Sequence, residues 1–193
     1  MNVNLGYSGK ARFSLYKGSK CIKSVINHND GAMELFKYIG ACLTGNFSEA
    51  QQIGKPFRIK LYADKNFTMP ITSMITSRED SAYFPYASTS GDVEKGYVMV
   101  KIDFTIPSIF ITDKTAKQIA GARLYPKNAD DSRILNEDYC ASISFKDNQD
   151  KLLLPADRNQ DVTIKVQWYL TIGNVGQTSQ VIQTEQDSQE GDS

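Results

Sequence analysis

Alternation of apolar and polar side chains is the strongest signal in the chain. Val98, Val100, Ile102, Phe104 and Ile106 occupy every second position, with Met99, Lys101, Asp103 and Thr105 between them, and Pro107 ends the run. Val162, Ile164, Val166, Trp168, Leu170 and Ile172 repeat the pattern around Thr163, Lys165, Gln167, Tyr169 and Thr171. Successive side chains of a strand point to opposite faces, so each run predicts a long strand with one face on a core and the other on water or a partner. Shorter runs over residues 12–16, 21–26, 57–62, 118–125 and 139–145 predict further strands. Turn-forming residues at 7–9, 17–19, 90–92 and 147–150 separate them.

The period changes once. Ala32, Leu35, Phe36, Ile39, Cys42 and Leu43 are spaced for one face of a helix, with Glu34 and Lys37 on the other face. Asn29 or Asp30 supplies a cap, and Thr44, Gly45 and Asn46 a stop. This predicts a single amphipathic helix near residues 30–44, with Leu35, Phe36, Ile39 and Leu43 buried against the open end or one face of a sandwich. Residues 64–96 read as an extended excursion with one short strand, the strand propensity lying around Ile71–Thr76. The expected fold is therefore mainly β: a β-sandwich, jelly-roll-like or immunoglobulin-like, over residues 1–172, with one amphipathic α-helix and an extended excursion.

Length and charge sharpen this picture. A chain of 193 residues buries roughly 70% of its unfolded surface, enough for one core. Lys and Arg number 22 and Asp and Glu 22, and a net charge of zero argues against a nucleic-acid binder. The balance is uneven along the chain: after Lys165 no cation remains, while Glu185, Asp187, Glu190 and Asp192 do, so residues 166–193 carry −4 and the rest +4. Residues 173–193 are rich in Gln, Gly, Ser and acids and read as an acidic flexible tail, positioned to lie on a neighbour's basic surface. The opening MNVNLGYSGK holds no apolar run, which predicts no secretory leader, and no apolar stretch is long enough to span a bilayer. Cys21, Cys42 and Cys140 share no metal-type spacing and read as free buried thiols of a reducing compartment.

Few residues offer chemistry. No Gly-rich phosphate loop is present. The lone histidine, His28, excludes two-histidine metal sites; beside a helix N-terminus it could act as a base, though a turn residue bonded to nearby backbone is the simpler reading. Asp157, Asn159 and Asp161 open like a calcium loop, but Val162 and Trp168 stand where that loop needs Gly and Glu. Asp130 and Asp131 sit in a polar loop as solvated charge. No metal or cofactor and no catalytic group is expected. Tyr83, Phe84 and Tyr86, broken by Pro85, could stack on a sugar, anchor a protein partner or pack on the core. Trp168 and Tyr169 place one ring on each face of the last strand. Tyr83, Phe84, Tyr86 and Tyr169 are the candidate partner contacts. Basic residues show no clustering with aromatics along one face, which gives single-stranded nucleic-acid binding weak support.

Two stretches carry a resemblance. The first runs from Ile22 through His28, Asn29 and Gly31, along the helix Met33–Leu43 to Gly45, then Pro56 to Leu61. The second runs from Ile119 to Leu124, through residues 138–145, to Ile164, Val166, Trp168, Leu170 and Ile172. Together they resemble the small β-rich structural proteins of tailed-bacteriophage virions: neck, collar and tail rings or fibre attachments, crAss-like phages included. Residues 64–96 and the acidic tail lie outside the resemblance. It implies a non-enzymatic subunit, assembled in the host bacterial cytoplasm into the virion. Its partners would be copies of itself in a ring and portal, neck or tail proteins, with no membrane and no nucleic-acid readout. The competing expectations are a carbohydrate-binding β-sandwich module of a head or tail fibre, and a small hydrolase with a carboxylate pair.

Overall fold

The computed structural model describes residues 5–31, 35–37, 41, 44–46, 57–75, 86–92, 97–126, 139–145, 151–155 and 162–174. The fold is mainly β, as the alternation predicts. Five strands form the long sheet: β1 (Leu5–Lys17), β2 (Lys20–His28), β5 (Tyr86–Asp92), β6 (Tyr97–Pro107) and β11 (Val162–Asn174), in the order β2-β1-β11-β6-β5. A second sheet holds β3 (Asp30–Gly31), β4 (Arg58–Tyr62), β8 (Gly121–Tyr125) and β9 (Ala141–Ser144), in the order β3-β9-β8-β4. A two-residue pair, β7 (Gln118–Ile119) with β10 (Leu152–Leu153), stands beside it. Among the described strands every pairing is antiparallel.

One core joins the sheets. Ala11, Phe13 and Leu15 of β1, Ile102, Phe104 and Ile106 of β6, and the alternate residues Val162 to Leu170 of β11 face inward. They meet Ile59 and Leu61 of β4, Ala122 and Leu124 of β8 and Ile143 of β9 in the same cluster. Trp168 is fully buried and, with Phe145, flanks Phe13 edge-on at centroid distances of 6.5 and 5.2 Å, a geometry that sets positive ring edges against negative faces.

Several local expectations are corrected. Residues 7–9 and 90–92 are not turns but parts of β1 and β5, because pairing with β11 and β6 overrides their turn propensity. Gly9 serves close approach instead: its carbonyl accepts the Asn29 N–H at 2.9 Å, and an added Cβ would collide with the Asn29 carboxamide. Tyr7 Oη donates to Asn29 Oδ1 at 2.5 Å, and burial, followed by Asp30 and Cys140, pushes the phenol well above its ordinary range. Asp30 does not cap a helix, since Asp30 and Gly31 pair with Ser142 and Ala141. Nor does His28 sit at a helix start; it is the last residue of β2 and is exposed. Cys140 is buried as expected, but Cys21 is exposed at the β1–β2 hairpin, and Cys42 lies outside the described residues.

Helical backbone is present at residues 35–37 and at Ala41. The expected stop is realised: Asn46 N–H bonds the Ala41 carbonyl at 2.9 Å, and Gly45 takes φ 75°, the left-handed cap conformation that glycine adopts without a Cβ penalty. Leu35 is in the core, but Phe36 is 50% exposed, with its ring edge-on to Tyr7 at 6.4 Å. The expectation of a buried Phe36 is therefore corrected: the stripe of six apolar positions is wider than the face the sheets cover. Ile39 and Leu43 lie outside the described residues.

The excursion is anchored at both described ends. Residues 64–75 turn back along β4 through bridges Tyr62 to Pro70 and Ile59 to Ile75, burying Ile71, Met74 and Ile75. Residues 86–92 return as the edge strand β5. At the other boundary β11 continues to Asn174, two residues past the expected limit at 172, and residues 175–193 lie outside the described set.

Candidate functional site

Strand register turns the outward residues of the long sheet into rows. One row reads Asp103, Gln167, Arg12, Ile26 from β6 to β2; the next reads Lys101, Tyr169, Lys10, His28. On the other side of the first row stand Thr105, Lys165, Ser14 and Ser24. Lys10, Arg12, Lys101 and Lys165 thus share a face with Tyr16 and Tyr169. Lys10 Nζ lies 5.4 Å from the Tyr169 ring centroid and Lys165 Nζ 4.5 Å from that of Tyr16, within reach of the ring quadrupole. This corrects the expectation that basic and aromatic residues would not cluster. Asp103 on the same face is paired to Lys101 at 3.3 Å.

Among the described residues the β2 edge of this face is open. The bond from Asn29 N–H to the Gly9 carbonyl sets the alternation along β2: Asn29, Asn27 and Val25 point their backbone groups at β1, and Ser24, Ile26 and His28 point theirs outward. The His28 N–H is met by its neighbour Asn27 Oδ1 at 3.0 Å. No partner strand covers Ser24 and Ile26 among the described residues. Ile22 and Ile26 are 46% and 36% exposed. Charged side chains commonly guard such an edge, yet Lys23 turns inward and donates to the Lys151 carbonyl at 2.9 Å. A bulge, created where Tyr16 pairs with Cys21 and Leu15 with Lys23, leaves Ile22 unmatched.

A second concavity, an open cleft of about 730 Å³ beside the excursion, is lined by Asp64, Asp113, Lys117, Gln118 and Lys151 among others. Its two carboxylates are occupied by their own loops. Asp64 accepts from the N–H groups of Asn66, Thr68 and Met69 and from Thr68 Oγ1, and Asp113 accepts from the N–H and hydroxyl of Thr115. Burial opposes ionisation of Asp64, but the bonds from Met69, Thr68 and Asn66 outweigh it and hold the carboxyl below its usual range. The same loop carries Phe67 at φ 60°, a strained conformation for a bulky residue. Its ring lies 4.3 Å from the Arg123 guanidinium, with Tyr139 also at 4.3 Å. Beneath it Tyr62 and Tyr125 share a buried hydroxyl bond of 2.7 Å, and burial followed by that bond raises the Tyr62 phenol. This aromatic cage is filled by the chain's own arginine.

Of the candidate contacts, Tyr169 is half-buried on the outward face, and Tyr86 starts β5 in the same face's register. Tyr83 and Phe84 lie outside the described residues, as do Asp130, Asp131, Asp157, Asn159 and Asp161. Among the described residues no three His, Cys, Asp or Glu side chains gather as a metal site, and no helix is long and apolar enough to cross a membrane. Sequence reasoning missed Lys10, Arg12, Lys165 and Ile26. Their alternation was visible, but the rows exist only once register is known. Neither family models nor curated proteins nor solved structures offer a match to the chain.

Proposed function

We propose that the chain is a non-enzymatic structural component of a phage virion that assembles edge to edge with copies of itself and with neighbouring neck or tail proteins in a ring. The observation that carries the assembly role is the β2 edge: outward backbone groups at Ser24 and Ile26, exposed Ile22 and Ile26, and a lysine withdrawn from guard duty. An edge of this kind is a template for another strand. Strand addition there would satisfy the backbone groups and bury both isoleucines. The virion setting rests on the resemblance of the two stretches described above.

Native mass spectrometry tests the role. The expected result is a defined cyclic oligomer that Ile26→Lys shifts toward monomer while the circular dichroism spectrum stays β-rich. A wild-type chain that remains monomeric at every concentration, alone and with neck or tail proteins, would overturn it.

A further inference from the structure

The cleft beside the excursion is bordered by a loop that the fold holds in a strained shape. Phe67 keeps its φ of 60° because several contacts fix it. Its ring meets the Arg123 guanidinium at 4.3 Å and stands edge-on to Tyr62 at 5.4 Å. Gly121 leaves the ring its space, since a Cβ there would come within 2.9 Å of Phe67 Cε1. Asp64 fixes the backbone on either side through the N–H groups of Asn66, Thr68 and Met69. Strain held by so many contacts is a mark of ligand-binding segments. The neighbours of Phe67 in this loop, Lys65, Asn66 and Met69, all line the cleft, and so do Lys117 and Gln118.

The groups left for a ligand are mainly donors. Both oxygens of Asp64 are filled by the loop's own N–H groups and the Thr68 hydroxyl, so its charge is met locally. Asp113 accepts from Thr115. The exposed ammonium groups of Lys65 and Lys117 and the Asn66 carboxamide engage no other group of the chain. Gln118 donates its Nε2 to the Ala63 carbonyl at 3.1 Å, which leaves its Oε1 as an acceptor. Two ammonium groups suit a phosphate or a carboxylate, where charge assistance strengthens each hydrogen bond. Amide side chains offer donor and acceptor side by side, which neighbouring hydroxyls can match. Met69, 56% exposed, adds an apolar surface for the C–H face of a ring. A volume of about 730 Å³ falls within the range of about 300–1,000 Å³ usual for small-molecule sites.

We infer that this cleft binds a sugar carrying a phosphate or a carboxylate, with Lys65 and Lys117 on the anion and Asn66 and Gln118 on the hydroxyls. The inference stands apart from the assembly role, since none of these residues belongs to β2.

Titration calorimetry on the full chain tests it, with glucose 6-phosphate, glucuronic acid, glucose and inorganic phosphate as probes. At least one of the two acidic sugars should saturate a single site, and which one does so separates phosphate from carboxylate. Glucose and inorganic phosphate, each lacking half of the recognised groups, should bind at least about tenfold more weakly. The K65Q/K117Q variant should lose about tenfold or more in affinity with its circular dichroism spectrum unchanged. Lys17→Gln, on the exposed β1–β2 hairpin, should bind as wild type does. On the wild-type chain, the saturating sugar should slow acetylation of Lys65 and Lys117 relative to Lys17. Failure of both acidic sugars to bind, or lysines left unprotected by a bound one, would overturn the inference. So would a double variant of wild-type affinity. Glucose binding as tightly as the acidic sugars would overturn the role of the anion, and inorganic phosphate doing so would overturn that of the sugar.

Discussion

Gly9 and Asp64 show how single residues set the frame of the sandwich. The Asn29 carboxamide occupies the space a Cβ at position 9 would need, while Asn29 holds Tyr7 and the Gly9 carbonyl together. Gly9→Ala should therefore lower stability by about 1–3 kcal/mol, the usual cost of forcing extra volume into a packed site; a urea midpoint equal to wild type would refute this. Asp64 acts through its charge. Its pKa in the fold lies below the ordinary carboxylate value, so its contribution is fully present above the unfolded value of about 3.9 and is lost as pH falls through the lower folded value. Asp64→Asn should be less stable than wild type near neutral pH, and the gap should close in acid below that window. A gap constant from pH 7 downward would mean the charge plays no part. Phe67 should respond with it, because the bonds to Asp64 from Thr68 and Met69 fix the loop that holds Phe67 at positive φ.

At the scale of elements, the strands that alternate over six or more residues were legible in the sequence, and their inward residues are the core. Ile102, Phe104 and Ile106, and the even positions of β11 from Val162 to Leu170, needed nothing but period two to be placed. Elements whose identity depends on a distant partner were not legible. Ser90, Gly91 and Asp92 form a strand because β6 offers them an edge, and the Tyr7–Gly9 segment does so because β11 does. The outward face was half legible: Tyr169 could be assigned to it, but its neighbour Lys10 lies more than 150 positions away in sequence and meets it only through register. The helix gives the sharpest test of what burial means here. Phe104→Ala, at 1% exposure, should cost about 3–5 kcal/mol. Phe36→Ala, with half its surface in water, should cost less than half as much. Comparable losses in chemical denaturation would mean that Phe36 is covered in solution.

For the molecule as a whole, the sheet order has a consequence for how the protein is made. Among the described strands β11 alone joins the β1–β2 hairpin to the β5–β6 hairpin, and it follows both in the chain. During synthesis the two hairpins must wait for it, each presenting to solvent the long edge that β11 will later close. Non-local pairings of this kind close slowly, and partly made chains with bare edges aggregate. A nascent chain arrested on the ribosome before Val162 has emerged should therefore stay sensitive to protease and engage general chaperones. Release of the remaining residues should make β1 and β6 resistant together. Resistance of β1 before β11 emerges would show instead that the first hairpin folds on the second sheet alone. The insertion of one late strand between two early hairpins thus makes translation, as well as thermodynamics, a determinant of how much soluble protein a cell obtains.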